Sequence, residues 1–316
     1  MFDIVYIILA FDNPKQIKKL VNSLNAEGVN FYIHVDLKVD QSQFEFELNG
    51  FSNIKFVKAN ERKEISWGDN KMVKAILNLM KMVKANHQNG YCVLLSNNDY
   101  PIKSNTEIRS YFSKNFGDSF MSISKFDKSS YLFKQRLKFY KFELSKKRQD
   151  MLTIPSIWDK DFYKKSSFGA IVKVLKSKDK NSLIKILRKR QQPNGIESYL
   201  GSSWWAIPID VMVEILNFCD LNPKFVKYHE ETFISDEIFF PTILKHLDKN
   251  GKIKTKILGR VVYLEFKHNE SSPIDFRASD FAKLVELPER FLFVRKLNTK
   301  IDETIFDLID QSRSAS

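Results

Sequence analysis

Apolar positions along the first hundred residues follow two different periods. "IVYIILAF", residues 4–11, is an unbroken run of apolar and aromatic residues, which predicts a strand buried on both faces. In "NPKQIKKLVNSLNAEG" the period changes. Ile17, Leu20, Val21 and Leu24 recur at helical spacing behind Asn13 and Pro14, predicting a helix with an Asn cap and Pro in its first turn that closes near Gly28. "NFYIHVD" predicts a second strand ending in Asp36, and "IKFVKA" a third. "SWGDNKMVKAILNLMKMVKAN" predicts a helix with Met72, Ala75, Ile76, Leu79 and Val83 inward. "YCVLLSNNDYPI" is then a fourth strand running into a polar turn.

Alternating strands and helices imply an α/β fold with a mostly parallel central sheet, covered by helices on both faces, that receives ligands at the carboxyl ends of its strands. Asp36, Asn97, Asn98 and Asp99 fall at such ends; capping a helix is the other common use of an acid there. Past residue 115 the pattern loosens. Lys125 to Arg190 interleaves aromatics with Lys and Arg, predicting helices and loops inserted over the sheet. "SSWWAIP" predicts a late strand, "IDVMVEILNFC" an amphipathic helix, and "SDEIFFPTILKHL" a short helix opened by Ser235. Asp236 and Glu237 then occupy a first turn. The expected organisation is one domain over 1–310, with halves 1–115 and 116–310, followed by a flexible polar tail at 311–316.

Composition narrows the class. With 43% hydrophobic and 13% aromatic residues in 316, the chain can bury a large core. Its longest apolar runs fall far short of the ~20 residues a membrane span needs, and the start carries Asp3 without the basic residues of a signal peptide. Cys92 and Cys219 both lie in apolar surroundings, as reduced core thiols do. A cytoplasmic protein without disulfides or zinc is the expectation.

The net charge of +13 is unevenly placed. Residues 121–190 hold 20 Lys and Arg against 6 Asp and Glu, whereas the remainder is balanced at 31 against 32. Such a segment suits phosphates, an acidic polymer or the anionic inner leaflet of a membrane, and equally a solvated face. A nucleic-acid-binding protein is the reading from a different class that this charge allows. No helix-turn-helix, zinc-finger or RNA-recognition signature accompanies it, so no nucleic-acid partner is expected.

The blocks "YIILAFDNPKQIKKLVNSL", "FYIHVDLK", "ISWGDNKMVKAILNLMK", "LLSNNDYPIKSN", "GSSWWAIP", "SDEIFFPTIL" and "LFVRKLN" stand in an order that resembles the core-2/I-branching β-1,6-N-acetylglucosaminyltransferases and peptide O-xylosyltransferases of glycosyltransferase family 14. The resemblance runs from Ile4 to Asn298. It implies a GT-A fold, here with a basic helical insertion, and an inverting transfer from a UDP-sugar that requires no metal and no cofactor. The expected donor is UDP-GlcNAc, with xylose as the alternative the family also contains. Animal members are anchored, disulfide-bonded Golgi enzymes. A bacterial enzyme building a surface polysaccharide or a lipid-linked glycan, with peripheral contact to the inner face of the membrane, is therefore the expectation here.

The resemblance also assigns roles. Glu237 matches the catalytic glutamate, and a carboxylate there can take the proton of the acceptor hydroxyl; without the resemblance, both first-turn acids would read as aids to the helix start. Arg295 and Lys296 match the basic pair on the donor diphosphate, a planar fork beside a point charge, and Arg260 resembles a further phosphate-binding arginine. Asp36 matches an aspartate that contacts the nucleotide base, Trp67 lies in the block bordering it, and Asp99 matches an aspartate near the donor sugar. Asp69 stands where a small residue is frequent. Trp204 and Trp205 face opposite sides if they lie on a strand, one in the core and the other toward the acceptor, while Arg136 and Tyr140 fall in the variable acceptor-facing region. "WDKDF" at 158–162 is a literal D-x-D motif, but it lies in the basic insertion. Asparagines replace the first acid after the fourth strand, where such a motif is expected, and Asn serves a hard cation poorly.

Overall fold

The computed structural model describes residues 2–145, 147, 149–268 and 272–314. Its strands are β1 Asp3–Ala10, β2 Val29–Val35, β3 Ile54–Phe56, β4 Gly90–Ser96, β5 Asp99–Pro101, β6 Ser119–Phe120, β7 Ile123–Lys125, β8 Tyr140–Glu143, β9 Met151–Ile154, β10 Tyr199–Gly201, β11 Ala206–Pro208, β12 Ile257–Leu258, β13 Val262–Leu264 and β14 Phe293–Arg295. The central sheet runs β12-β6-β11-β4-β1-β2-β3. β1 pairs in parallel with both β2 and β4, and β2 with β3. β11 enters antiparallel between β4 and β6. The sheet is thus mostly parallel, as expected, and made mixed by β11, which lies within the late strand predicted at "SSWWAIP" but whose antiparallel direction no periodicity announced.

β1 and β4 sit mid-sheet, which is why their sequences are continuous apolar runs: every residue of Ile4–Ala10 and Gly90–Ser96 is buried. Gly90 opens β4 at φ 123°, where a Cβ would lie 2.0 Å from the Asp3 carbonyl oxygen, so only glycine lets the two strands start together. The predicted helices form at Pro14–Leu24 and Lys71–Asn86. The Asn13 side chain accepts from the Gln16 N–H as the cap, and Ile17, Leu20, Val21 and Leu24 are buried beneath. Strands from before and after residue 115 share this sheet and one core.

Trp205 is fully buried in that core and packs on Phe240 with ring centroids 5.7 Å apart. Trp205→Ala is expected to lower stability by about 3–5 kcal/mol, the usual range for emptying a large aromatic site. Urea denaturation checks this: the midpoint falls while the slope holds.

Two parts of the chain correct the sequence reading. The end is not a loose tail from 311: a helix spans Thr304–Ser314. Ile305, Phe306 and Ile309 bury its inner face, and Arg313 ties it down through Nε to the Lys103 carbonyl (2.8 Å) and Nη2 to the Ser23 carbonyl (2.7 Å). Residues 315–316 lie outside the described residues. The basic insertion is only partly helical, since β8 and β9 form an antiparallel hairpin on a second, small core of Tyr140, Phe142, Ile154, Val174 and Ile186. Tyr140, expected in the acceptor-facing region, belongs to this small core. It is buried there, its hydroxyl donating to the Arg188 carbonyl (3.2 Å).

Candidate active site

The carboxyl ends of β1, β2 and β4 meet two segments from late in the chain. β14 lies antiparallel to β5 with Arg295 opposite Asp99. Asp99 Oδ2 accepts from the Ser96 N–H (2.6 Å), the Ser96 hydroxyl (2.7 Å) and Arg295 Nη1 (3.0 Å), and Arg295 Nη1 also donates to the Ser96 hydroxyl. Burial pushes the Asp99 carboxyl up, while Arg295 and the Ser96 donors pull against it. The Arg295 guanidinium lies over the Trp204 ring, 4.1 Å from its centroid. The tryptophan pair thus divides, Trp205 to the core and Trp204 to Arg295. The strand itself begins only at Ala206, so both rings sit in the turn before it.

Lys296 follows on the same segment, with Nζ 3.7 Å from Asp275 and its carbonyl accepting from the Phe276 N–H. The Leu297 N–H donates to the Asn98 carbonyl (2.9 Å), and Gln16 Nε2 spans the Asn97 and Leu297 carbonyls. These bonds fix the basic pair to the end of β4. Arg260 precedes β13, but its Nη2 reaches the Leu264 carbonyl at a long 3.5 Å, and Leu264 is the strand partner of Arg295.

On the other side, Asp36 directly follows β2, buried, with Oδ1 accepting from the Lys38 N–H (2.9 Å) and Oδ2 from the Ile65 N–H (3.1 Å). The carboxylate clamps the segment leading to Trp67. Trp67 meets Phe233 edge-on, centroids 5.5 Å apart, and Gly68 packs so closely that a Cβ would lie 2.8 Å from the Phe233 ring. Asp69 is also buried, and burial pushes its carboxyl up.

Phe233 and Ile234 lead into the helix Asp236–Lys249, whose first turn holds both acids. Ile234 has φ 49°, a left-handed conformation that β-branched residues avoid. Three contacts hold it. The Ile234 N–H donates to the Gly68 carbonyl (2.9 Å), and Arg136 Nη1 donates to the Phe233 and Ile234 carbonyls (3.0 and 3.1 Å). Arg136 Nη2 then bonds Glu237 Oε2 at 3.1 Å. The Glu237 side chain is 36% exposed and so opens to the surface. Burial of its surroundings and the neighbouring Asp236 push its carboxyl up to about 7, with Arg136 restraining the rise.

Asp236, by contrast, is buried and accepts from the Ser203 hydroxyl at 2.5 Å. Ser203 adjoins Trp204, so this bond links the acid helix to the Arg295 cluster. The structure therefore brings Asp99, Arg295, Trp204, Asp236, Glu237, Arg136 and Trp67 into one connected network, with Asp36 and Lys296 bonded to its margins. Arg136, expected toward the acceptor, instead holds Glu237 and the turn before it.

Ser96 and Ser203 were not foreseen. Ser96 stands three residues before Asp99, a spacing at which a hydroxyl and a carboxylate meet across a turn, and Ser203 belongs to the small-residue run "GSS". Both signals are common. Of the D-x-D acids in the insertion, Asp161 is paired to Lys134 and Lys164, each at 2.6 Å, and Asp159 caps a turn by accepting from the Asp161 N–H (2.9 Å). They are occupied structurally.

The geometry thus sets a partly exposed carboxylate, Glu237, and a guanidinium, Arg295, at two ends of one bonded network. Residues 4–282 match the family described as Core-2/I-Branching enzyme, and the chain belongs to that family. Among curated proteins it is similar to human xylosyltransferase 2, 24% identical over 94% of this chain and 32% of the human protein. Xylosyltransferase oxt of Drosophila melanogaster is 22% identical over 92% of this chain and 31% of its own. The chain spans about a third of the length of these relatives. Among solved structures, mouse xyloside xylosyltransferase 1 in its apo form aligns over 93% of this chain and 97% of its own, at 9% identity and TM-score 0.41. Galactosyltransferase LgtC, in complex with donor and acceptor sugar analogs, aligns over 98% and 95%, at 10% identity and TM-score 0.41.

Proposed function

We propose that the protein is an inverting, metal-independent glycosyltransferase that moves a sugar from a UDP-sugar to a hydroxyl of a glycan or lipid-linked glycan acceptor. The observation that carries this reading is Glu237, a carboxylate open to the surface, titrating near neutrality and held in place by Arg136. Glu237 accepts the hydroxyl proton as the acceptor oxygen bonds to the anomeric carbon, and the bond from that carbon to the diphosphate breaks with its electron pair on the phosphate oxygen. Arg295, Lys296 and Arg260 neutralise the departing charge. Asp36 and Trp67 bound the uracil, and Asp99 acts on the donor side by holding Arg295.

GlcNAc is the donor sugar we propose, as the resemblance to the branching enzymes implies. Xylose is a second reading supported by the names of the curated relatives. Metal independence is supported by the Asn97–Asn98 pair after β4 and by the guanidinium that already serves Asp99. A cytoplasmic, bacterial setting in surface-glycan synthesis completes the proposal, supported by two free cysteines; no helix among the described residues is long and apolar enough to cross a membrane.

A panel of UDP-sugars offered in EDTA tests the reading. One UDP-sugar is expected to bind and to be slowly hydrolysed at a rate EDTA leaves unchanged. Loss of turnover in EDTA with recovery in manganese overturns metal independence, and failure to bind UDP or any UDP-sugar overturns the whole assignment.

A further inference from the structure

The basic insertion carries an apolar face that nothing in the fold covers. Its helix, Lys165–Leu175, turns Ser167 and Val174 inward and leaves Phe168, Val172 and Leu175 exposed. Those three positions fall on one stripe at helical spacing. Trp158 and Tyr163, each 68% exposed, precede the helix in the chain, and Ile184, 72% exposed, lies in the short helical segment Lys180–Leu187 that follows it. The surface is ordered rather than loose. Trp158 Nε1 donates to the Leu187 carbonyl (2.8 Å), the Tyr163 hydroxyl donates to the Ile157 carbonyl (3.1 Å), and Phe162 bridges Tyr163 and Phe168 at 5.3 and 6.0 Å.

The rim is cationic. Lys165, Lys173 and Lys176 project from the same helix, with Lys160, Lys164, Lys180 and Lys189 around it, all exposed. Soluble surfaces avoid contiguous exposed apolar residues, and the cationic rim around this one is complementary to an anionic bilayer. Trp and Tyr settle at the headgroup level, Phe, Val, Leu and Ile enter the acyl boundary, and lysines snorkel to acidic headgroups.

We infer that the face built by residues 158–184 docks the protein on an anionic lipid bilayer. This goes beyond the transfer reaction and does not depend on it. The inserted segment begins beside Arg136 and returns through Arg190, whose Nη1 bonds the Arg136 and Phe139 carbonyls (3.0 and 2.7 Å). Docking there holds the Arg136–Glu237 pair at a fixed attitude to the membrane.

The test uses the full chain with vesicles of phosphatidylcholine alone or mixed 3:1 with phosphatidylglycerol. Wild type is expected to sediment with the mixed vesicles and at least ten-fold less with the neutral ones, with tryptophan emission shifting to the blue on binding. That shift should vanish in Trp158→Phe, because Trp204 and Trp205 are buried and Trp67 is half-buried against Phe233, away from the insertion's exposed face. The triple change Phe168→Ser, Val172→Ser, Leu175→Ser is expected to weaken binding at least ten-fold with the melting temperature unchanged. These positions are exposed, so the fold should survive; Lys165→Glu with Lys176→Glu provides a second, independent variant with the same expected loss. Absence of binding to the mixed vesicles overturns the inference. So does binding that the serine triple leaves intact, which would make the contact one of charge alone, and so does a concentration-dependent dimer that the same triple abolishes.

Discussion

Glu237→Gln is expected to lower turnover by about 10²–10⁴-fold, the range general-base catalysis commonly supplies, while UDP-sugar binding stays near wild type. Glutamine keeps an oxygen that can accept from Arg136, so the turn at Phe233–Ile234 retains its support and the melting temperature should barely move. Only the capacity to take a proton is lost. Wild type should also reveal the group through pH. A base works only when deprotonated, and burial together with Asp236 brings Glu237 to about 7. The rate should therefore fall with unit slope as pH drops below about 7 and level off above it. A variant that still turns over at wild-type rate, or a wild-type profile flat from pH 5 to 8, removes Glu237 from the role of base.

Arg295→Ala should combine two losses. The donor diphosphate loses its guanidinium, worth about 2.7–4 kcal/mol of transition-state stabilisation by analogy with other charge-stabilising donors, or roughly 10²–10³ in rate. Asp99 is meanwhile left buried without its cation, and breaking such a pair from one side costs about 3–5 kcal/mol of stability. Arg295→Lys separates the two. It retains a charge for Asp99 but not the planar fork or the stack over Trp204, so the melting temperature should recover largely and the rate only in part. Equal recovery of both would mean that Arg295 is merely structural, and product inhibition by UDP, measured in parallel, should weaken in both variants if it is not.

These residues mark where the sequence was readable and where it was not. β1, β4 and the first helices were legible because each is long enough for its period to show: Ile4–Ala10 as a run, Ile17 to Leu24 as a stripe. β6, β11 and β12 have two or three residues each, too few for any alternation, so the antiparallel entry of β11 was invisible. Asp36 and Asp99 were singled out because they stand at strand ends, and Arg295 because it lies in a block that resembles the family. Their partners were not, because pairing is tertiary: Arg295 lies 196 residues from Asp99, and Arg136 lies 101 from Glu237. The burial of Tyr140 was hidden for a related reason, since a basic neighbourhood said nothing of the small core formed by β8, β9 and the helix beyond. The C-terminal helix was missed because its polar last turn looks like solvent, whereas Arg313 lays its guanidinium against two backbone carbonyls.

The grip of Arg136 also bears on how freely such enzymes can be rebuilt. A variable, acceptor-facing segment looks like a cassette, to be exchanged between relatives in order to change what is glycosylated. Here that segment supplies the guanidinium that satisfies the carbonyls of a left-handed isoleucine and aims the carboxylate beside it. Exchange of the cassette without its arginine would leave two carbonyls and one acid without their donor. Grafting must therefore carry Arg136 together with Gly68 and the Phe233–Glu237 turn, because the segment and the turn that bears Glu237 hold one another in place.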